Sequence, residues 1–265
     1  MHFRERTSPS AAPRETAMRW LSNLGEILGN LIFPWACALC AMEGVTGPLC
    51  NACRRNLMER SAEASVSVCP RCALKAGPFA DLRGGCASCR DRSLGFDAAL
   101  AMGSYDGDLR ELCLQLKHER NAWLAPCLSK LLVEARCDAL GALPSDTWVV
   151  PVPLHWWRYW QRGYNQAEAL AEEIAKQLNL PLLRLLKRVV GTRKLADLSR
   201  TARGEAVRNA FRARAHSRIK GRTILLVDDV LTTGATCSAA AKALKHAGAA
   251  RVVVAVLART EQTTV

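Results

Sequence analysis

The stretch Thr223–Ser238, T-I-L-L-V-D-D-V-L-T-T-G-A-T-C-S, narrows the fold more than any other in the chain. Ile224–Val227 is a short apolar, partly β-branched run of the kind buried on both faces of a sheet. Asp228 and Asp229 follow at once. The small-residue turn Thr232, Thr233, Gly234, Ala235, Thr236 then opens an alanine-rich helix ending near His246. A strand–turn–helix junction aims unpaired backbone N–H groups and the positive helix end at whatever lies beyond the strand. Small hydroxyl side chains and one glycine let a phosphate approach that backbone closely. Two acids at the strand tip suit the vicinal hydroxyls of a ribose, or Mg²⁺ beside a phosphate. The junction therefore predicts a site for a phosphorylated ribose. No lysine follows the glycine as a P-loop requires, and the G-x-G-x-x-G dinucleotide fingerprint is missing. An Asp-Asp pair can also be an incidental solvated strand end, but the apolar run before it and the turn after it weigh against that.

The rest of the C-terminal two thirds has the rhythm of an α/β domain. Phe96–Tyr105 reads as a strand, and Leu109–Lys117 as a helix with Leu109, Leu112, Cys113 and Leu116 on one face. Trp123–Leu140 reads as a second helix, and W-V-V-P-V-P at Trp148–Pro153 as a buried strand stopped by proline. A helix carrying Leu170, Ile174 and Leu178 follows, and Arg251–Leu257 is a last strand. Strands alternating with helices predict a mostly parallel sheet whose ligands sit at the carboxyl ends of the strands. At 265 residues the chain can hold one such domain and a small additional module.

That module is marked by cysteine. Eight of the twelve cysteines form C-x-x-C pairs: Cys37/Cys40, Cys50/Cys53, Cys69/Cys72 and Cys86/Cys89. Each such turn presents two thiolates to one metal, and two turns complete a tetrahedral Cys₄ zinc site. Disulfides are disfavoured because nothing marks the chain for export, and an iron–sulfur cluster more often uses closely grouped cysteines. The spacing predicts two structural zinc ions. Sequential pairing is the simplest connectivity, and an interleaved one stays open. Cys113, Cys127, Cys137 and Cys237 lack such spacing and read as ordinary buried residues. Ahead of the module, Met18–Phe33 places Leu21, Leu24, Leu28 and Leu31 at helical spacing. No apolar run reaches the length of a membrane span and no signal-peptide core is present, so a cytoplasmic protein is expected.

Two further segments concentrate positive charge. Arg158–Gln166, R-Y-W-Q-R-G-Y-N-Q, follows a strand as the acid pair does, and Arg158, Arg162 and Gly163 are suited to gripping a pyrophosphate. Taken alone it reads better as a solvated surface turn, and only the acid pair and its turn elsewhere in the chain reverse that balance. Arg184–Arg222 holds thirteen Lys/Arg against Asp197 and Glu205, nearly the whole of the formal charge of +13. Such a surplus serves a polyphosphate or a nucleic-acid backbone, or forms a solvated hairpin, and the three readings stay open.

The Asp-Asp and T-T-G-A-T stretch resembles the phosphoribosyl-pyrophosphate (PRPP) motif of type I phosphoribosyltransferases. The order of motifs is specific as well. F-P-x-x-C at Phe33–Cys37 begins it, followed by the cysteine pairs and Leu116-Lys117. V-P-V-P, R-G-Y-N-Q, L-S-x-x-x-R at Leu198–Arg203 and V-D-D-V-x-T-T-G-A-T complete it. Together they resemble the ComF family, the ComFC/GntX-type bacterial proteins linked to DNA uptake and competence, over nearly all of the chain after its first thirty residues. The resemblance implies a double zinc ribbon joined to an α/β domain with a mostly parallel sheet of the type I phosphoribosyltransferase kind. The expected boundaries are a flexible tail over 1–17, a short amphipathic helix over 18–34, the double zinc ribbon over 35–92 and the phosphoribosyltransferase-like domain over 93–262. It also implies handling of single-stranded DNA alongside a competence helicase or other uptake proteins. Carried onto this chain, Asp228, Asp229 and Thr232 to Thr236 would bind PRPP with Mg²⁺. Arg158, Arg162 and Gly163 would serve the pyrophosphate, and Arg203 would act from a mobile loop. Leu195 and Ala206 stand where the family often has Gln and Asn, a departure that bears on the loop's chemistry and not on the fold. Transfer to an unknown acceptor, PRPP sensing without turnover and a DNA-uptake adaptor all fit this reading.

Overall fold

The structure, a computed structural model, describes residues 36–65, 68–77, 79–189, 210–214, 216 and 218–261. The expected tail over 1–17, the helix over 18–34 and the loop bearing Arg203 lie outside the described residues. The chain divides into two compact units, Met1–Cys50 and Asn51–Val265. In the first, a tight turn brings the Cys37 N–H to the Met42 carbonyl at 2.9 Å. The Ala38 N–H reaches the Pro48 carbonyl, also at 2.9 Å.

The second unit is built on a four-stranded sheet in the order β1-β6-β5-β2: Ala98–Ser104 (β1), Arg251–Arg259 (β6), Thr223–Leu231 (β5) and Trp148–Pro151 (β2). Every pairing is parallel, as the alternation of strands and helices predicts. The two central strands are apolar because both faces are covered. One face packs Ile224, Leu226, Val252, Val254 and Val256 against Ala240 and Leu244 of Ala235–His246 (α7). The opposite face carries Gln166–Leu178 (α6), which buries Leu170 and Ile174, and Leu124–Ala135 (α3) packed beside it. Leu186–Arg188 (β3) and Phe211–Ala213 (β4) form an antiparallel pair against α7, so both ends of the basic segment leave from a hairpin.

Asn51–Ser65 (α1) and Gly107–Gln115 (α2) complete the body with two short helices, Cys137–Gly141 (α4) and Trp156–Arg162 (α5). Three elements depart from the sequence expectation. The helix expected over Trp123–Leu140 breaks at Arg136, whose guanidinium instead bonds the Ala101 carbonyl at 2.8 Å and the Met102 carbonyl at 3.0 Å. β5 continues past Val227 to Leu231 because β6 still pairs with it, Asp228 opposite Val256 and Leu231 opposite Arg259. The basic aromatic segment is helical rather than a turn. His155 caps α5 by accepting the Trp157 N–H at 3.3 Å, and Gly163 ends it at φ +77°, a left-handed geometry suited to glycine.

Candidate functional site

β5 and β2 are neighbours, but the chain leaves them toward opposite faces of the sheet, from β5 into α7 and from β2 into α6. Such a switch point opens a crevice beyond the carboxyl ends of the strands. The two loops that border it are the ones singled out by sequence. Thr232 and Thr233 are exposed after β5, Gly234 adopts φ +78° and α7 begins at Ala235. The Thr233 hydroxyl accepts the Ala235 N–H at 3.3 Å, the remaining side chains being too small to crowd the helix end.

Asp228 and Asp229 lie within β5, not beyond it, and successive strand residues point to opposite faces. Asp229 is 8 % exposed, and its Oδ2 accepts the Gln166 Nε2 at 3.1 Å from the first turn of α6. Asp228 turns toward α7, its Oδ2 lying 3.7 Å from Cys237 Sγ. Its Oδ1 accepts the Asp229 backbone N–H at 2.9 Å. Burial, and then the Asp229 charge, push the Asp228 carboxyl well above the usual carboxylate range. Burial, with Asp228 beside it, likewise raises the Cys237 thiol. The carboxylates and the threonine hydroxyls are hard oxygen donors of the type Mg²⁺ prefers.

The R-G-Y-N-Q segment meets the acid pair directly. Asn165 caps α6 by accepting the Ala167 N–H at 3.2 Å, and its amide donates to the Val152 carbonyl after β2, also at 3.2 Å. This fixes Gln166 over Asp229. The Tyr164 hydroxyl is buried with no hydrogen-bond partner among the described residues, and burial pushes it up to about 12, with Arg162 opposing and Asp229 and Glu119 adding. A Cβ on Gly163 would collide with the Glu119 carboxylate. Arg158 is exposed and Arg162 half-buried.

Sequence reasoning did not isolate Arg188. It is half-buried at the end of β3, its Nε lacks a partner among the described residues, and its guanidinium stacks 5.4 Å from the Phe211 ring. Burial lowers its pKa, Arg158 lowers it further and Asp228 opposes. His155 is lowered by burial and then by Arg188 and Arg158. These shifts gather Arg158, Arg188 and Asp228 within electrostatic reach of one another. No period or motif marks Arg188 within a segment dense in arginine.

The eight paired cysteines form two groups, Cys37, Cys40, Cys50, Cys53 and Cys69, Cys72, Cys86, Cys89, the sulfurs of each within 4.8 Å of one another. The sequential pairing is therefore the one present. In the second group Cys69–Cys89, Cys72–Cys86 and Cys86–Cys89 stand at 3.7, 3.6 and 3.8 Å. Zn–S bonds of about 2.3 Å in a tetrahedron put sulfurs about 3.8 Å apart, so the thiols fit zinc. Burial opposes ionisation of Cys37 and Cys69, but backbone N–H donors outweigh it. They bring Cys37 to about 6 and Cys69 to about 7, whereas burial raises Cys72 and Cys89. All four thiols of the second group are buried, and Leu94 packs against both them and the core beneath α7.

Residues 165–265 match the family model described as the phosphoribosyl transferase domain. "Competence protein F" of Haemophilus influenzae is 31% identical over 215 residues, covering 80% of this chain and 90% of that protein. "DNA utilization protein YhgH" of Salmonella typhi is 33% identical over 236 residues, covering 87% and 99%. The chain belongs to the ComF family. "Competence protein ComFC" of Bacillus subtilis is 36% identical over 104 residues, covering 38% of this chain and 40% of that protein. In this ComF chain the family-model match starts at Asn165, the cap of α6, and so spans the acid pair and its loop. No helix among the described residues is long and apolar enough to cross a membrane.

Proposed function

We propose that the protein binds PRPP at the β5–α7 junction and acts in DNA uptake, with phosphoribosyltransferase chemistry as the use of that site. One observation carries the reading: an acid pair and an open, glycine-bearing helix N-terminus border the crevice at the switch point of a parallel sheet. In this reading Thr232 to Thr236 take the 5′-phosphate through hydroxyls and backbone N–H groups, and Asp228 and Asp229 take the ribose hydroxyls. Arg158, Arg162 and Gly163 take the pyrophosphate, Arg188 adds positive charge beside Asp228, and Arg203 acts from the expected mobile loop. Mg²⁺, when bound, would neutralise pyrophosphate oxygens.

Transfer would break the bond from C1′ to the pyrophosphate oxygen, which leaves with the electron pair. An acceptor's lone pair forms the new bond to C1′, and its proton passes to solvent. The protein's part is positioning and charge stabilisation. PRPP binding without transfer has one observation in its favour, since Asp229, the buried acid, already accepts the Gln166 amide.

Zinc in both cysteine groups would cross-link segments with few large apolar residues. The expected boundaries, ribbon over 35–92 and transferase-like domain over 93–262, belong to this proposal, as does a cytoplasmic location. Single-stranded DNA is the proposed macromolecular ligand, held by the arginines and tryptophans of α5 and by the basic segment from Arg184 to Arg222, with a helicase of the uptake machinery as partner. Relatives named for competence and for DNA utilization support this part of the reading. Calorimetry with PRPP and Mg²⁺, followed by a pyrophosphate-release screen across nucleobases, tests it. Heat of binding is expected, and its absence at millimolar PRPP would overturn the assignment. Release with one acceptor selects transfer, and release with none selects sensing.

A further inference from the structure

Arg259 ends β6, a strand whose positions from Val252 to Ala258 are all apolar. It is 4 % exposed, and among the described residues its guanidinium donates to carbonyls alone. Nε reaches the Cys72 carbonyl at 2.9 Å. Nη1 reaches the Leu231 carbonyl at 2.7 Å, the Thr260 carbonyl at 3.0 Å and the Thr232 carbonyl. One side chain thus holds a residue of the second cysteine group, the last residue of β5 and the first residue of the loop after it. Arg92, three residues past Cys89, reaches the same loop, its Nη2 donating to the Thr233 carbonyl at 2.8 Å. Leu74, Leu94 and Phe96 fill the space between, leaving a cavity of only about 10 Å³.

The consequence follows from the planar trans peptide. A carbonyl and the next residue's N–H point in opposite directions. With the carbonyls of Leu231, Thr232 and Thr233 drawn inward by two guanidinium groups, the N–H groups of Thr232, Thr233 and Gly234 turn outward. Successive outward N–H groups make a concavity for an anion. Arg259 is buried and forms no ion pair with a carboxylate among the described residues. A buried cation without a counter-charge is costly. A divalent metal bound by four thiolates carries net negative charge and meets that need.

We infer that the Cys69, Cys72, Cys86, Cys89 group belongs to the framework of the phosphate loop, and that Arg259 and Arg92 are positioning residues transmitting its state to the loop's backbone. The inference rests on the reading of this loop as a phosphate site, but its first test needs no ligand. Hydrogen–deuterium exchange of the full chain is followed in the peptide spanning Leu231–Cys237. Cys72→Ser and Arg92→Ala are each expected to speed exchange there about tenfold, the loss of one hydrogen bond to a charged group. Cys40→Ser, in the other group, leaves it unchanged. Arg259→Lys keeps the charge without the fork and falls between wild type and Arg92→Ala. Because Cys72→Ser could unfold more than the loop, Arg92→Ala decides. Unchanged exchange in that folded variant overturns the inference, as does an equal effect of Cys40→Ser.

Linkage supplies the second arm: PRPP with Mg²⁺ should slow zinc loss from the second group to a chelator in wild type, and not in Arg92→Ala. Slowing that survives intact in Arg92→Ala overturns the inference. If wild type binds no PRPP, the proposed function fails while the exchange arm still decides whether Arg92 and the second cysteine group hold the loop.

Discussion

The junction after β5 is held from behind, whereas α5 stands out into solvent. At the junction, Arg259 and Arg92 grip three successive carbonyls and Gln166 holds Asp229, so the backbone has little freedom. On α5, Trp156 and Trp160 are 69 % and 77 % exposed, and the aromatic rings touch chiefly one another. Trp156 and Trp157 meet edge-on at 5.6 Å, and Trp157 and Trp160 tilt at 6.0 Å. Both regions offer positive groups to an anion. A rigid cradle of small residues and amides discriminates by shape, as a single phosphorylated sugar requires. Exposed rings beside arginine tolerate any base, as a single strand of changing sequence requires. Under the proposed function this contrast suits the junction to a small molecule and the exposed rings of α5 to a polymer, while Arg158 and Arg162 of α5 also serve the pyrophosphate.

The largest effect expected to break or sharpen that division comes from Asp228→Asn with Asp229→Asn. Shape is kept and both carboxylates are lost. Each charge-assisted hydrogen bond is worth about 1.5–3 kcal/mol, so PRPP affinity should fall by one to several powers of ten in calorimetry with Mg²⁺ present. Affinity for an oligothymidine strand should stay within a factor of about two, since no phosphate contact is removed. A folded double variant that binds PRPP like wild type falsifies the role of the acids. Loss of DNA binding as well would merge the two regions into one.

Trp156→Ala with Trp160→Ala is the converse. Stacking of a base on an aromatic ring contributes about 1–3 kcal/mol, so strand affinity by fluorescence anisotropy at low salt should drop at least about tenfold, with PRPP binding intact. The dependence of log affinity on log salt should keep its slope, because rings release no counterions. Arg158→Gln should instead lower that slope by about one and weaken binding less. Tryptophan variants that leave the strand bound as before would make α5 a packing patch.

The two regions were unequally legible in the sequence. The strand–turn–helix order of the junction was legible, since an apolar run, two acids and a small-residue turn occur within sixteen residues, although the strand runs on past the acids to Leu231. The parallel sheet followed from periodicity in the same way, whereas spacing marked the four cysteine pairs but left open which of them share a site. Gln166 over Asp229 was not visible, because it depends on α6 crossing β5 and not on neighbours in the chain. Arg259 and Arg92 were hidden for the same reason. One stands 28 residues from the carbonyl it binds in Leu231 and the other 141 from that in Thr233, separations at which sequence carries no local signal. Asp228 and Asp229 looked equivalent as a pair, and only strand alternation between α6 and α7 separates them.

That separation yields the smallest effect, carried by Asp228 alone. Burial and then the Asp229 charge hold its carboxyl above the ordinary value of 3.8, so the folded chain keeps a proton that the unfolded chain has released. Stability then falls as pH rises through this range, and the deficit is complete above the folded value and absent below 3.8. Asparagine has no proton to lose, and its carbonyl oxygen can still accept the Asp229 N–H that Asp228 accepts at 2.9 Å. Asp228→Asn should therefore melt above wild type near neutral pH, with the gap closing as pH falls below the ordinary carboxylate value. Arg158→Gln, on the exposed helix, should show no such convergence, because an exposed charge is solvated in both states. A wild type more stable than Asp228→Asn at neutral pH would mean that native partners hold the carboxylate better than water does. The junction would then stabilise its own acid.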